Sequence, residues 1–166
     1  MSMAKEWIEN LATEIKQQNR EAAEEFGRQQ HQADVIATQG RVFFADVVRG
    51  LEDNFTQIRR QLQGDPASAD IAVQTTGSTQ ARLTRTRFPW FDGHITHEDG
   101  KITLDYQKDA GVVNDPTLVE KKTAIFDFHI SPQDTIWVED AFGDMPRKYE
   151  TPDDLAQRIT EILFTA

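Results

Sequence analysis

The 166-residue sequence contains no cysteine. That excludes disulfide frameworks, thiolate metal sites, redox pairs and cysteine nucleophiles, and it fits a reducing compartment. Proline is missing from the first 64 residues: Pro66, Pro89, Pro116, Pro132, Pro146 and Pro152 all come later. Long hydrophobic runs are missing as well. The longest, Val42-Phe43-Phe44-Ala45, falls far short of the roughly 18 apolar residues that span a membrane, so no membrane association is expected. Lys5 and Glu6 interrupt the start, where a signal peptide needs about 7 to 15 apolar residues in a row. A soluble, cytoplasmic protein is therefore expected. Positive charge is scarce, with 18 Lys and Arg against 28 Asp and Glu, a net charge of −10 and a pI near 4.8. Phosphate backbones reward clustered Lys and Arg through counterion release, so no nucleic-acid partner is expected. A basic protein is the partner that such a charge suits.

The proline boundary also divides the charge. Residues 1–64 carry 8 basic and 10 acidic side chains, and residues 65–166 carry 10 and 18. The first part is rich in Glu, Gln, Ala, Arg and Leu, all good helix formers. Trp7, Ile8, Leu11 and Ile15 recur at helical steps, and so do Ile36, Phe43, Phe44, Val47, Leu51, Phe55, Ile58 and Leu62. Between them, from Lys16 to Gln32, only Ala22, Ala23 and Phe26 are apolar, and Gly27 with Arg28-Gln29-Gln30-His31-Gln32 marks a candidate turn. Gly40 is the alternative break. A single helix of about 60 residues would be about 90 Å long, so two helices in a hairpin are favoured over one long helix. The stripe from Ile36 to Leu62 must be covered by the first helix, by the second domain or by another copy of the chain. It is the candidate partner interface, and a homodimer through these helices is expected.

After Gly64-Asp65-Pro66-Ala67-Ser68 the periodicity changes to alternation, first at Ile71 and Val73 and then over residues 80–87. Asp99-Gly100 is a two-residue hairpin signal. Pairing about it sets Glu98 opposite Lys101, Thr96 opposite Thr103 and His94 opposite Asp105 on one face. Ile95 with Leu104, His97 with Ile102 and Gly93 with Tyr106 fall on the other. A second hairpin runs from Ala124-Ile125-Phe126-Asp127-Phe128-His129-Ile130 through Ser131-Pro132-Gln133-Asp134 to Ile136-Trp137-Val138-Glu139. Ala124, Phe126, Phe128 and Ile130 share a side with Ile136 and Val138. Residues 108–121 read as a long loop between the hairpins. Thr151-Pro152-Asp153-Asp154 is a helix start, with a cap, proline at the first position and acids in the first turn. Leu155, Ile159, Ile162 and Leu163 follow at helical spacing. The expected class is α+β: helical residues 1–64, then residues 65–166 as an antiparallel sheet of about five or six strands with a closing C-terminal helix.

Catalysis has no signature. Gly-rich phosphate loops, Gly-x-Ser-x-Gly and His-Glu-x-x-His are all missing, so a non-catalytic role is favoured and no cofactor is expected. His94 and His97 are three apart, but a strand sends them to opposite faces, so no metal site is expected. His94, Asp105, Asp127 and His129 could converge if the strand order allowed it. Asp134, Glu139, Asp140 and Asp144 form an acidic stretch without calcium-loop spacing. Arg82, Arg85 and Arg87, close to Phe88, Trp90 and Phe91, mix guanidinium groups with flat rings. That combination suits an anionic ligand, and equally suits the wet face of an edge strand over core aromatics. Two functions remain: an acidic interaction protein that self-associates or docks partners through its helices, and a small anionic-ligand site or modest enzyme built from Arg82, Arg85, Arg87, Trp90, His94 and His129.

Overall fold

A computed structural model describes residues 3–64, 70–87, 89–109, 119–141 and 147–165, with side chains from residue 5 onward. The connector at 65–69, Phe88, most of the 108–121 loop, and Asp144 of the acidic stretch lie outside them. The elements are α1 (Met3–Gln61), β1 (Ile71–Thr75), β2 (Gln80–Arg85), β3 (Phe91–Glu98), β4 (Lys101–Asp109), β5 (Val119–Ile130), β6 (Ile136–Asp140), β7 (Lys148–Tyr149) and α2 (Pro152–Phe164). The class is α+β as expected. Two compact units are distinguished, Met1–Val35 and Ile36–Ala166.

The hairpin of helices is not formed; α1 is a single helix. Gly27 lies inside it, and one helical glycine costs only about 1 kcal/mol relative to alanine. The polar run that suggested a turn is instead tied along the helix surface: Glu25 accepts from Arg28 Nε at 3.1 Å and from Gln29 Nε2 at 3.1 Å. Polar residues of this kind support an exposed helix through pairs three and four apart as readily as they support a loop. Gly40, the alternative break, is also helical and is buried. A Cβ there would stand 3.4 Å from His97 and Phe128, so this glycine lets the helix backbone approach the sheet.

Within Ile36–Ala166 the seven strands follow one another in sequence order, each antiparallel to its neighbour. The β3–β4 register is the one the sequence predicts at all six pairs, from Glu98↔Lys101 to Gly93↔Tyr106. Gly100 supplies the turn's positive φ of 76°. The second hairpin pairs Ile130↔Ile136 and Phe128↔Val138. The strand beyond the expected five or six is β7, whose two residues pair with Val138 and Glu139; two residues cannot show an alternating pattern.

One sheet face carries Ile71, Leu83, Phe91, Ile95, Ile102, Leu104, Phe126 and Val138, all buried. Phe43, Phe44, Val47, Val48, Leu51 and Phe55 of α1 and Leu155, Ala156, Ile159 and Leu163 of α2 complete the core. Phe55, Phe91 and Phe164 meet edge to face at 4.9–6.1 Å between ring centroids. The α2 start is the expected one: Thr151 accepts from Asp154 N–H, with Pro152 in the first turn.

Candidate functional site

The outward sheet face follows from strand alternation. His94 lies opposite Asp105 on β4, and Asp105 opposite Thr123 on β5. Thr123 Oγ1 donates to Asp105 at 2.6 Å. Beside them Arg82 grips Asp92 with both of its forked nitrogens, Nε at 3.0 Å and Nη2 at 2.8 Å. That charge-assisted fork holds the Asp92 carboxyl below the usual carboxylate range. His94 Nε2 stands 3.7 Å from the same carboxylate. Asp92, His94, Asp105 and Thr123, with Gln107 and Lys121, line a depression of about 150 Å³.

The strand order separates the four-residue cluster that the sequence left open. His94 and Asp105 are level with Thr123, whereas Asp127 is level with Lys101. His129 lies further along β5, stacked on Trp137 at 4.5 Å with its Nε2 3.4 Å from Glu139. Lys148 Nζ sits 4.4 Å from the Trp137 ring centroid. Among the described residues no group of three or more His, Asp or Glu side chains has metal-binding geometry.

The three arginines likewise point three ways. Arg82 faces outward and is held by Asp92. Arg85, three residues on and therefore on the opposite face, lies 5.8 Å over the Phe164 ring. Arg87, beyond the strand end, pairs with Asp70 at 2.6 Å. Trp90 is half-buried, and its carbonyl accepts from Asp109 N–H at 3.1 Å. No two of these guanidinium groups share a face of β2, so they form no joint anion cradle.

The helical stripe has two fates. From Phe43 to Phe55 it is spent inside the chain: Phe43 meets Phe128 edge to face at 5.6 Å, and Phe44 stacks on His97 at 5.6 Å. Of the three covers that the sequence allowed, the sheet is the one observed. Phe43, Phe44, Val47, Leu51 and Phe55 are therefore closed to a partner. Ile36, Ile58 and Leu62 stay half-buried. Large apolar side chains are instead exposed at Trp7, Ile8, Leu11, Ile15 and Phe26, from 45% at Leu11 to 68% at Phe26.

A second feature, unmarked by any motif, is a groove of about 730 Å³ between α1 and α2. The two helices run in the same direction. Gly50 meets Ala156, where an added Cβ would come within 2.9 Å of the alanine methyl. One turn on, Asn54 Nδ2 donates to Thr160 Oγ1 at 3.2 Å. Gly50 was the available signal, since a glycine within an apolar helical pattern often marks close packing. No family model, no curated protein and no solved structure matches this chain.

Proposed function

We propose that this is a non-catalytic interaction protein that self-associates through the first part of α1, with a second copy of the chain as the occupant. The exposure of Trp7, Ile8, Leu11, Ile15 and Phe26 along one helix carries the reading. Each such side chain contributes about 1.5–3 kcal/mol when fully buried, and isolated helices are marginal in water without tertiary packing. Residues 7–33 rise about 40 Å. Two helices in contact over that length approach the order of 800 Å² per partner found in stable interfaces.

Residues 1–35 carry four basic and seven acidic side chains, interspersed, which suits pairing with a like helix. An antiparallel pair centred on Ile15 sets Trp7 and Ile8 level with Ala23 and Ala22, Lys5 with Glu25, and Glu14 with Lys16. Trp7 and Ile8 then meet alanines, Ile15 meets its own copy, and Lys5 with Glu25 and Glu14 with Lys16 bring opposite charges together. Glu9 falls level with Glu21 and Glu6 with Glu24, so added salt strengthens this association by screening the residual repulsion.

Light scattering over a concentration series tests the proposal. The full chain gives a dimer, more strongly at high salt, and the double variant Leu11→Ser, Ile15→Ser gives a monomer. Both side chains are exposed, so the fold of Ile36–Ala166 survives the change. A wild-type chain that stays monomeric at every concentration, or a double variant that still dimerises, overturns it.

A further inference from the structure

The groove between α1 and α2 combines two half-buried apolar side chains with three carboxylates. Its large apolar lining is Ile58 and Leu62 of α1, which the fold leaves half-buried, while Phe55 and Leu155 are closed into the core. Its rims carry Asp53, Asp153 and Glu161, and among the described residues no Lys or Arg lines it. Two helices running side by side expose a valley of this kind, and an amphipathic helix fills it by laying its apolar face along the valley floor. The polar lining is adaptable: Asn54 and Thr160 already bridge the helices, and Gln57 and Gln157 stand exposed on either side.

The charge selects the occupant. We infer that this groove docks an amphipathic helix of a different, basic protein, with Leu- or Ile-type residues over Ile58 and Leu62 and Lys or Arg beside Asp53, Asp153 and Glu161. The chain's own first helical segment is a poor occupant, because residues 1–35 are themselves acidic at −3 and would bring like charge against the rims. Glu161 already shares its carboxylate with Gln157 at 3.1 Å and with Arg158 at 3.9 Å. Asp153 and Asp53 therefore carry most of the attraction. Ion pairs at such a rim set the approach and the choice of partner, and apolar contact with Ile58 and Leu62 supplies the grip. The site is separate from the dimerising stripe, so either can fail without the other.

The probe is an 18-residue helical peptide with Leu at three- and four-residue spacing and Lys elsewhere, titrated into the full-length protein by fluorescence anisotropy. A peptide of the same composition with scrambled order and the linear polyamine spermine serve as comparisons. The ordered peptide is expected to bind at least tenfold more tightly than either comparison, and to weaken as salt is added. The double variant Gln57→Lys, Gln157→Lys sets two cations against the three carboxylates of the groove at exposed positions without touching the core, and binding should fall at least tenfold. Ile58→Ser is expected to weaken the ordered peptide and leave spermine unchanged. Equal binding of ordered and scrambled peptides, equal binding by wild type and the double-lysine variant, or no binding of the ordered peptide overturns the inference.

Discussion

Phe44 of α1 stacks on His97 of β3, their ring centroids 5.6 Å apart and their planes 20° from parallel. The imidazole also meets the Phe128 ring edge to face at 5.7 Å. It occupies an inward position of the sheet, where the neighbouring strand positions are apolar. Its sequence neighbour at three residues' distance, His94, faces the other way and is exposed. The two histidines lie on opposite faces of the sheet, as strand alternation predicts.

Burial holds the His97 pKa below the usual histidine range, Arg41 lowers it further and Asp99 opposes both. The folded chain therefore keeps this imidazole neutral at a pH where the unfolded chain binds a proton. Stability contributed by the neutral ring is complete above about pH 6.5, the unfolded value, and is lost as pH falls from there toward the folded pKa. Urea unfolding at pH 7.5 and 5.5 should show a fall in midpoint for wild type and a smaller fall for His97→Gln. Parallel falls in the two proteins would refute this assignment.

Gly27 and Gly50 are both helical glycines, and alanine or valine at them should act in opposite directions. Nothing lies within 4 Å of a Cβ built at Gly27, so Gly27→Ala raises helix propensity by about 0.5–1 kcal/mol without a clash. At Gly50 the Ala156 methyl is 2.9 Å from the new carbon. Both carbons are fixed to helix backbones, so Gly50→Val forces the helices apart and costs roughly 1–3 kcal/mol. Thermal unfolding by circular dichroism measures both, and a stabilised Gly50→Val would show that the helices are not in contact there.

The two ends of α2 are held by different chemistry. Thr151 Oγ1 accepts from Asp154 N–H at 3.2 Å at the start, while Lys108 of β4 donates to the Ile162 and Thr165 carbonyls at 3.1 and 2.7 Å at the end. Thr151→Ala should cost about 1 kcal/mol and Thr151→Asp should restore most of it. Lys108→Met removes a cation from the negative end of the helix and should cost on the order of 1 kcal/mol. Their effects lie on opposite helix termini and should add in a double variant, which chemical denaturation will check.

Local pattern was legible wherever neighbours in sequence remain neighbours in the fold. The β3–β4 register needed only Asp99-Gly100 and two alternating runs, and the α2 start needed only Thr151-Pro152-Asp153-Asp154. Seven strands in simple sequence order extend the same logic. The choice between a hairpin and one long helix stays open in the sequence because a polar stretch rich in Gln, Glu and Arg reads equally as turn or as solvated helix; the structure has the long helix, with side-chain pairs around Glu25 along its surface. The candidate sites depended on distance across the sheet. Strand alternation already separated Arg82 from Arg85. The 6-residue offset between Thr123 and His129 along β5 mattered only once the β4–β5 register placed Asp105 against Thr123.

By itself the sequence determined that the first part is helical and the second alternates, where two hairpins turn, and that thiol chemistry and long apolar spans are excluded, because these follow from residue type and spacing along one strand or helix; β7 and the strand ends at Lys108 and Val119 did not show in it. Only the tertiary structure decided what covers each apolar stripe. The sheet closes over Phe43 to Phe55, Trp7 to Ile15 stay in solvent, and Gly50 against Ala156 brings two helices together over a carboxylate-rimmed groove. The reason is physical: burial is a property of pairs of surfaces, and periodicity shows a helix face without showing its partner.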